Sequence, residues 1–206
     1  NNQVCGCDLK FEGFERTGAR FVQPNYMCYM ADSVTLGKTW DEDPFDIVFI
    51  DTIHTREQVL AEMYFWIENL KEGGYLVFHD THSIAHSGED NVIDEYTYGD
   101  TIGGVKVKRP DVAITDFFGL SESIRDRTEY EDDNIKIEHY KPSHGMTFVQ
   151  IKNLDAIKEY KKNIDWEHVF ETRNWLNDLH FNTENPKFVD WQQDIPNIQN
   201  ELVITP

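Results

Sequence analysis

The run Phe45-Asp-Ile-Val-Phe-Ile50, followed by Asp51-Thr-Ile-His54, decides the fold class of this sequence. Phe45 to Ile50 is short, β-branched and aromatic, with few polar positions. Such a run is typical of a strand that is buried on both faces of a parallel sheet. The stretch Tyr75-Leu-Val-Phe78 has the same character, and His79-Asp80 follows it directly. We therefore predict two neighbouring buried strands, each with an acidic residue close behind it.

The segment between these strands predicts an amphipathic helix. Thr55 is a suitable N-cap, with Gln58 three residues later as the return half of a capping box, and Gly73-Gly74 is expected to end the helix. A strand, a helix and a strand of this size form a right-handed crossover, the unit of a parallel sheet with helices on its faces. The apolar residues that form one stripe along the helix are Val59, Leu60, Met63, Trp66, Ile67 and Leu70.

Four acids follow or end predicted strands: Asp8, Asp32, Asp51 and Asp80. Ligands of such sheets bind beyond the carboxyl ends of the strands, so we expect the site there. Asp8, with Leu9 beside it, is placed to accept the two hydroxyls of a ribose. Asp32 and Ser33 are placed to accept the exocyclic amine of an adenine. The alternative is that Asp8 and Asp32 are turn or cap residues.

Asp51-Thr-Ile-His54 is the most informative tetrapeptide. Asp51 and Asp80 at neighbouring strand ends could share a hard cation such as Mg²⁺, with His79 as a third ligand. His54 could then act as general base for a substrate hydroxyl. The alternative is that Asp51 caps the turn and His54 is a surface residue. A zinc set of His79, His82 and His86 is disfavoured, because the spacing is not a zinc signature and no HExxH motif is present.

Composition restricts the substrate. The formal net charge is -19, which repels phosphate backbones, so nucleic acid is an unsuitable substrate and a small neutral or sugar-like acceptor is easier to accommodate. The acidity also fits a solvated surface. The longest apolar runs are too short for a transmembrane helix. The odd, sparse cysteines indicate a reducing compartment, the cytoplasm.

The chain after residue 82 contains a long loop, a hairpin and a C-terminal extension. The polar, glycine-containing stretch from Ser83 to Pro110 predicts a lid or binding loop. Ile135–Tyr140 and Met146–Ile151 predict a hairpin joined by a turn with Pro and Gly. We therefore predict a first domain over residues 1–152, then a helical extension and an irregular arm over residues 153–206.

The segment over residues 45–82 contains two predicted strands and the helix between them. It resembles the fourth and fifth strands of class I S-adenosylmethionine-dependent methyltransferases. The branch most similar is that of the cephalosporin hydroxylase-like, macrolide-sugar and rhamnosyl O-methyltransferases. The resemblance implies a Rossmann-like, doubly wound, mainly parallel sheet with a C-terminal antiparallel hairpin. It also implies S-adenosylmethionine and a divalent metal, Mg²⁺ or Mn²⁺, as cofactors.

The resemblance also implies residue roles. Asp51 matches the family's metal ligand, and His54, three residues later, matches its base. The family's acidic pair after the fifth strand is His79-Asp80 here, so its first member departs from the pattern. Asp8 and Asp32 match the acids after the second and third strands. The family's first strand and glycine-rich loop have no counterpart, so we expect an N-terminally incomplete fold.

Three functions follow as hypotheses. The leading one is direct methyl transfer from S-adenosylmethionine to a hydroxyl of a sugar or another small molecule. The second is a non-catalytic methyltransferase-fold module in a larger glycan-modifying protein or assembly. The third is a metal-dependent hydrolase. No membrane partner is expected, and assembly into a homo-oligomer stays open.

Overall fold

The structure is a computed structural model that describes residues 3–9, 26–81, 98–142 and 144–184. Strands and helices alternate from residue 26 to residue 79, and strands dominate the middle before two final helices. In chain order, the elements are β1 (Val4–Asp8), β2 (Tyr26–Met30), α1 (Ser33–Thr39), β3 (Phe45–Ile50), α2 (Arg56–Trp66), β4 (Leu70–His79), β5 (Tyr98–Ile102), β6 (Val105–Lys108), α3 (Pro110–Phe118), β7 (Glu129–Glu131), β8 (Ile135–Tyr140), β9 (Met146–Ile151), α4 (Leu154–Tyr160) and α5 (Trp166–Glu184).

The strands form one five-stranded sheet and two pairs. The larger sheet has the order β3-β4-β9-β8-β7, with β3 and β4 parallel and each of the remaining neighbours antiparallel. Because β8 is antiparallel to β9, and β9 to β4, strands β3, β4 and β8 run in the same direction. Strands β1 and β2 form a parallel pair. The predicted α/β class, with parallel strands followed by a C-terminal antiparallel hairpin, is confirmed.

One face of the five-stranded sheet carries the core. Alternate residues of β3, β4, β8 and β9 point to this face, as the two-residue period of a strand requires. Helix α2 lies at the centre of the covering layer and packs against α1, α3 and α5. The buried sheet residues of this core are Ile50, Leu76, Phe78, Ile135, Ile137, Val149 and Ile151, and the helical ones include Leu60, Met63, Ile114, Phe117, Ile157 and Val169.

Helix α2 begins as predicted and ends earlier than predicted. Thr55 caps the helix, because its hydroxyl accepts a hydrogen bond from the backbone N–H of Gln58 at 3.1 Å. The α-helix stops at Trp66 and tightens into a 3₁₀ turn over Ile67–Asn69. Gly73 and Gly74 therefore lie inside β4, where the register with β3 shifts and Gly73 has a φ of +80°.

The segment predicted as a loop from Ser83 to Pro110 contains a hairpin. Strands β5 and β6 are joined by Gly103 and Gly104, with φ of +54° and +84°, the conformation of a tight two-residue hairpin turn. A Cβ on Gly103 would lie 2.5 Å from Leu179 of α5, so glycine is also needed for this contact. The alternation of apolar and polar residues extends over too few positions to predict these strands. Residues 82–97 lie outside the described part of the chain.

The C-terminal helices share the main core. Ile157 of α4 and Val169 of α5 are each 2% exposed and belong to the same buried cluster as the sheet. The domain boundary at residue 152 stays a prediction, and the packing of the core continues across it. None of the described helices is long and apolar enough to cross a membrane.

We expect truncation of a side chain to lower the free energy of unfolding more on the buried face of the sheet than on its other face. Ile137 is 0% exposed and Ile47 is 59% exposed. Ile137→Ala should lower the free energy of unfolding by about 2–5 kcal/mol, because it leaves a cavity. The same substitution at Ile47 should cost about 0.5 kcal/mol or less. Urea denaturation of both variants measures the difference, and equal losses would contradict the assignment of the buried face.

Candidate metal and cofactor site

The parallel pairing of β3 and β4 places two carboxylates side by side. Ile50 lies opposite Phe78 in the register, Asp51 directly follows β3, and Asp80 directly follows β4. Both strands end at the same edge of the sheet, which is where the sequence predicted a ligand site. Asp51 and Asp80 therefore meet as a consequence of strand register.

His54 lies between the two carboxylates. Its Nε2 is 3.1 Å from Oδ2 of Asp80 and 3.4 Å from Oδ1 of Asp51. The imidazole is about one third exposed, so it contacts both acids and remains accessible to a substrate. The short loop from Asp51 to Thr55 fixes this position, because the helix α2 begins immediately after it.

His79 contacts the same carboxylates from the last position of β4. Its Nδ1 is 2.8 Å from Oδ1 of Asp80 and 3.5 Å from Oδ1 of Asp51. The groups are close but are not aligned for hydrogen bonding, and Nδ1 of His79 and Oδ1 of Asp80 are both buried without a hydrogen-bond partner. Buried polar atoms of this kind require an explanation, and a shared ligand is a common one.

Asp80 adopts a backbone conformation that is rare for a residue with a side chain. Its φ is +53°, in the left-handed region, and it has the only positive φ among the described residues other than glycine. Aspartate tolerates this region better than most residues do. Backbone strain of this kind concentrates at binding and catalytic sites, where the surrounding structure holds it.

The residues at this edge fit a divalent cation. Asp51, His54 and Asp80 each offer one ligand atom, and these atoms lie within 4.8 Å of one another. A single ion with ligand bonds of about 2.1 Å spans such a set after small side-chain movements. Carboxylates suit both Mg²⁺ and Mn²⁺, and the imidazole ligands favour Mn²⁺ over Mg²⁺. His54 thus lies in the same set as the predicted ligands Asp51 and Asp80, and the predicted ligand His79 contacts both carboxylates.

The residues predicted to bind a nucleoside lie at the ends of β1 and β2. Asp8 is exposed, Leu9 is half-buried, and the carbonyl of Asp8 accepts a hydrogen bond from the N–H of Ala31 at 3.0 Å. Asp32 caps α1 by accepting hydrogen bonds from the backbone and hydroxyl of Thr35. The side chain of Asp32 is therefore also a cap, which was the alternative left open by the sequence.

Glu62 links the ends of β2 and β3. Its carboxylate has no solvent exposure, and it accepts hydrogen bonds from Ser33, from Nε2 of Gln58 at 2.9 Å and from Thr52 at 3.0 Å. Burial raises the pKa of Glu62, and the three hydrogen bonds and Arg173 oppose this effect. Ser33 follows β2 and Thr52 follows β3, so one buried carboxylate joins the two predicted parts of the site.

Arg173 of α5 extends this network to the C-terminal helix. Its Nε donates to Oε1 of Gln58 at 2.7 Å, and its guanidinium forms an ion pair with Asp32. Sequence analysis identified neither Glu62 nor Arg173. The available signal was the position of Glu62 within the apolar stripe of α2, between Val59 and Trp66. Arg173 carried no comparable signal, because its partners lie more than 100 residues away in the chain.

A second buried charged group lies behind Thr81. Arg109 donates to the carbonyl of Thr81 at 2.9 Å and to Oδ2 of Asp111 at 3.0 Å, and Arg125 approaches the same oxygen at 4.0 Å. Burial raises the pKa of Asp111 to about 6, although both arginines act in the opposite direction. This group supports the backbone that follows Asp80.

Residues 2–81 match a family model described as a methyltransferase domain. The match includes both parallel strand pairs, the acids at their ends and His54. Over these residues, which are less than half of its length, the chain is similar to this methyltransferase family. None of the curated proteins matches the sequence.

Solved structures similar to this chain share little sequence with it. A Corynebacterium glutamicum protein is 14% identical, with a TM-score of 0.46, over 73% of this chain and 61% of its own. A putative methyltransferase from Streptococcus mutans, solved with S-adenosylhomocysteine, is 13% identical, with a TM-score of 0.44, over 72% and 76%. MycE methyltransferase, solved with Mg, S-adenosylhomocysteine and mycinamycin VI, is 15% identical, with a TM-score of 0.42, over 74% and 37%. The chain thus spans about three fifths of the first of these proteins.

The raised pKa of Asp111 predicts a pH dependence of the free energy of unfolding. The unfolded chain ionises Asp111 near its ordinary pKa of 3.8, whereas the folded chain retains the proton up to about 6. The contribution of Asp111 to the free energy of unfolding should therefore fall as pH rises from 3.8 to about 6. Asp111→Asn should remove this part of the pH dependence.

Urea denaturation at several pH values in that window measures the difference in free energy of unfolding between the wild type and Asp111→Asn. Asp116→Asn, on the same helix but with a side chain that is 37% exposed, is the control. A pH profile that stays parallel to the wild type in Asp111→Asn would contradict the prediction.

Proposed function

We propose that this chain acts as a metal-assisted S-adenosylmethionine-dependent O-methyltransferase on a hydroxyl of a sugar or another small molecule. The convergence of Asp51, His54 and Asp80 at one edge of the sheet carries the proposal. Two carboxylates and an imidazole at this position suit the binding of a cation and the removal of a proton from a hydroxyl. The net charge of -19 favours an acceptor without a phosphate backbone.

The ends of β1 and β2 would hold the cofactor. Asp8 is exposed at the end of β1 and would accept the ribose hydroxyls, with Leu9 beside the same group. Each carboxylate oxygen has two lone pairs, so the capping and ion-pair contacts of Asp32 leave it able to accept the adenine amine. Ser33 would lie against the base while its hydroxyl donates to Glu62. Asp51 would border the cofactor on the side of the acceptor.

Asp51, His79 and Asp80 would hold the Mg²⁺ or Mn²⁺ ion. When bound, the ion supplies positive charge that lowers the pKa of a nearby hydroxyl. His54 would accept the hydroxyl proton, and the carboxylates within 3.4 Å of its Nε2 would stabilise the imidazolium that forms. S-adenosylmethionine, when bound, would supply the methyl group for the acceptor oxygen, with S-adenosylhomocysteine as the second product. Alignment of the two reactants supplies much of the acceleration.

The cytoplasm is the proposed location. Cys7 in β1 is a free thiol, which fits a reducing compartment. Burial raises the pKa of Cys7 to about 12, so this thiol stays protonated and unreactive.

Isothermal titration calorimetry with S-adenosylmethionine separates the proposal from its alternatives. A methyltransferase should bind the cofactor, and S-adenosylhomocysteine should compete for the same site. Absence of binding would favour a non-catalytic module. Hydrolytic activity that needs no S-adenosylmethionine and is lost on chelation would favour a metal-dependent hydrolase instead.

His54→Ala should abolish methyl transfer and leave cofactor binding nearly intact. General bases contribute about 10²–10⁴-fold to rate, so radiolabelled methyl transfer to a panel of hydroxylated acceptors should fall by at least about 100-fold. His168→Ala, an exposed histidine of α5, is the matched control and should retain activity. Loss of S-adenosylmethionine binding in His54→Ala would contradict the role as base, as would full activity.

A further inference from the structure

Each of the two site aspartates is followed by a threonine that is hydrogen-bonded to a buried polar side chain. Asp51-Thr52 directly follows β3, and Asp80-Thr81 directly follows β4. The two Asp-Thr pairs lie at neighbouring strand ends, and the aspartates contact His54 from two sides. The threonines extend away from this contact, into the protein.

Thr52 is bound to Glu62. Its hydroxyl donates to Oε2 of Glu62 at 3.0 Å, and Glu62 itself is fully buried and is held by Ser33 and Gln58. Because the partner carboxylate is fixed in α2 by two other donors, Thr52 has a rigid attachment. The next residue, Ile53, packs against the cluster of β5, β6 and α5. The loop from Asp51 to His54 is therefore attached at both of its central positions.

Thr81 is attached at both its side chain and its backbone. Its hydroxyl accepts a hydrogen bond from Thr147 of β9 at 2.8 Å, and its carbonyl accepts one from Arg109 at 2.9 Å. Thr81 is 3% exposed and Thr147 is 0% exposed, so water does not compete for these bonds. The hydroxyl of Thr147 is in turn within 2.9 Å of Nδ1 of His139.

These attachments act against two forces that would displace the carboxylates. Asp51 and Asp80 carry the same charge and share contacts with two histidines, so each repels the other when no cation lies between them. Asp80 also has a φ of +53°, which a residue with a side chain leaves unless its neighbours hold it. Thr81 is the adjacent residue, and its two buried hydrogen bonds restrain that conformation.

We propose that Thr52 and Thr81 are positioning residues that hold Asp51 and Asp80 in the geometry of a divalent-cation site. The proposal rests on the metal-assisted function proposed above. Neither threonine contacts the cation, and each acts through the aspartate that precedes it. Residues that support metal ligands without binding the metal typically change metal affinity by about 10–100-fold when they are removed.

Thr52→Val and Thr81→Val test the proposal, because valine keeps the shape of the side chain and lacks the hydroxyl. Each variant should weaken Mn²⁺ binding by about 10-fold or more, measured by calorimetry and by electron paramagnetic resonance of free Mn²⁺. Thr52→Ser and Thr81→Ser retain the hydroxyl and should restore most of the affinity. Thr115→Val removes a buried hydroxyl that bonds only within α3, and it should bind Mn²⁺ as the wild type does.

The outcomes distinguish the two proposals. Wild-type affinity in both folded valine variants overturns the positioning role and leaves the metal site intact. Failure of the wild type to bind Mn²⁺ overturns the metal-assisted function and the positioning role with it. Thr52 is only partly buried, so Thr52→Val carries the test if Thr81→Val does not fold. Thermal denaturation of each variant, compared with Thr115→Val, separates loss of affinity from loss of stability.

Discussion

The hydrogen bonding of one buried carboxylate, that of Glu62, is the interaction on which the site depends. A carboxylate without access to water is stable only when donors replace its hydration. Here the donors come from Ser33 after β2, from Thr52 after β3 and from Gln58 within α2. Because loss of any donor leaves a buried acceptor unsatisfied, the positions of these three segments are coupled. The region of Asp32 and the region of Asp51 are thereby held as one unit.

The parallel register of β3 and β4 is the second constraint. It brings Asp51 and Asp80 together at one edge, where their like charges repel and favour a cation between them. His54 contacts both acids from the following loop, and His79 approaches them from the strand itself. An arrangement of this kind is unfavourable without a ligand, as the unpaired buried atoms of His79 and Asp80 also indicate. The geometry therefore suits binding and proton transfer better than it suits stability alone.

Helix α5 belongs to the same structure although it lies far away in the chain. Arg173 binds Gln58 and Asp32, and Leu176 packs with Ile102 and Val107 of the hairpin beside Ile53. The helix thus contacts both the polar network and the apolar support of the loop after β3. A change in α5 would reach Asp51 and His54 through these contacts.

The sequence by itself determined the parts that depend on local pattern. The runs at Phe45–Ile50 and Tyr75–Phe78 predicted the parallel strands, but burial of β3 on both faces was wrong, because Ile47 and Phe49 are exposed. Thr55 predicted the start of α2, and the hairpin from Ile135 to Ile151 was predicted at its observed bounds. Strand period, capping and turn preferences act over a few residues, so they can be seen in the chain. The placement of Asp51 and Asp80 at one edge followed from the crossover rule.

Only the tertiary structure decided which polar groups lie inside. Glu62 belongs to a helix whose other residues predicted its apolar stripe, and its burial depends on donors from three segments. Arg173 finds its partners across a separation of 115 residues along the chain. The left-handed conformation of Asp80 and the two anchored threonines also arise from contacts between distant elements. The stability of a buried charge is set by partners that only folding brings together, and no local pattern records them.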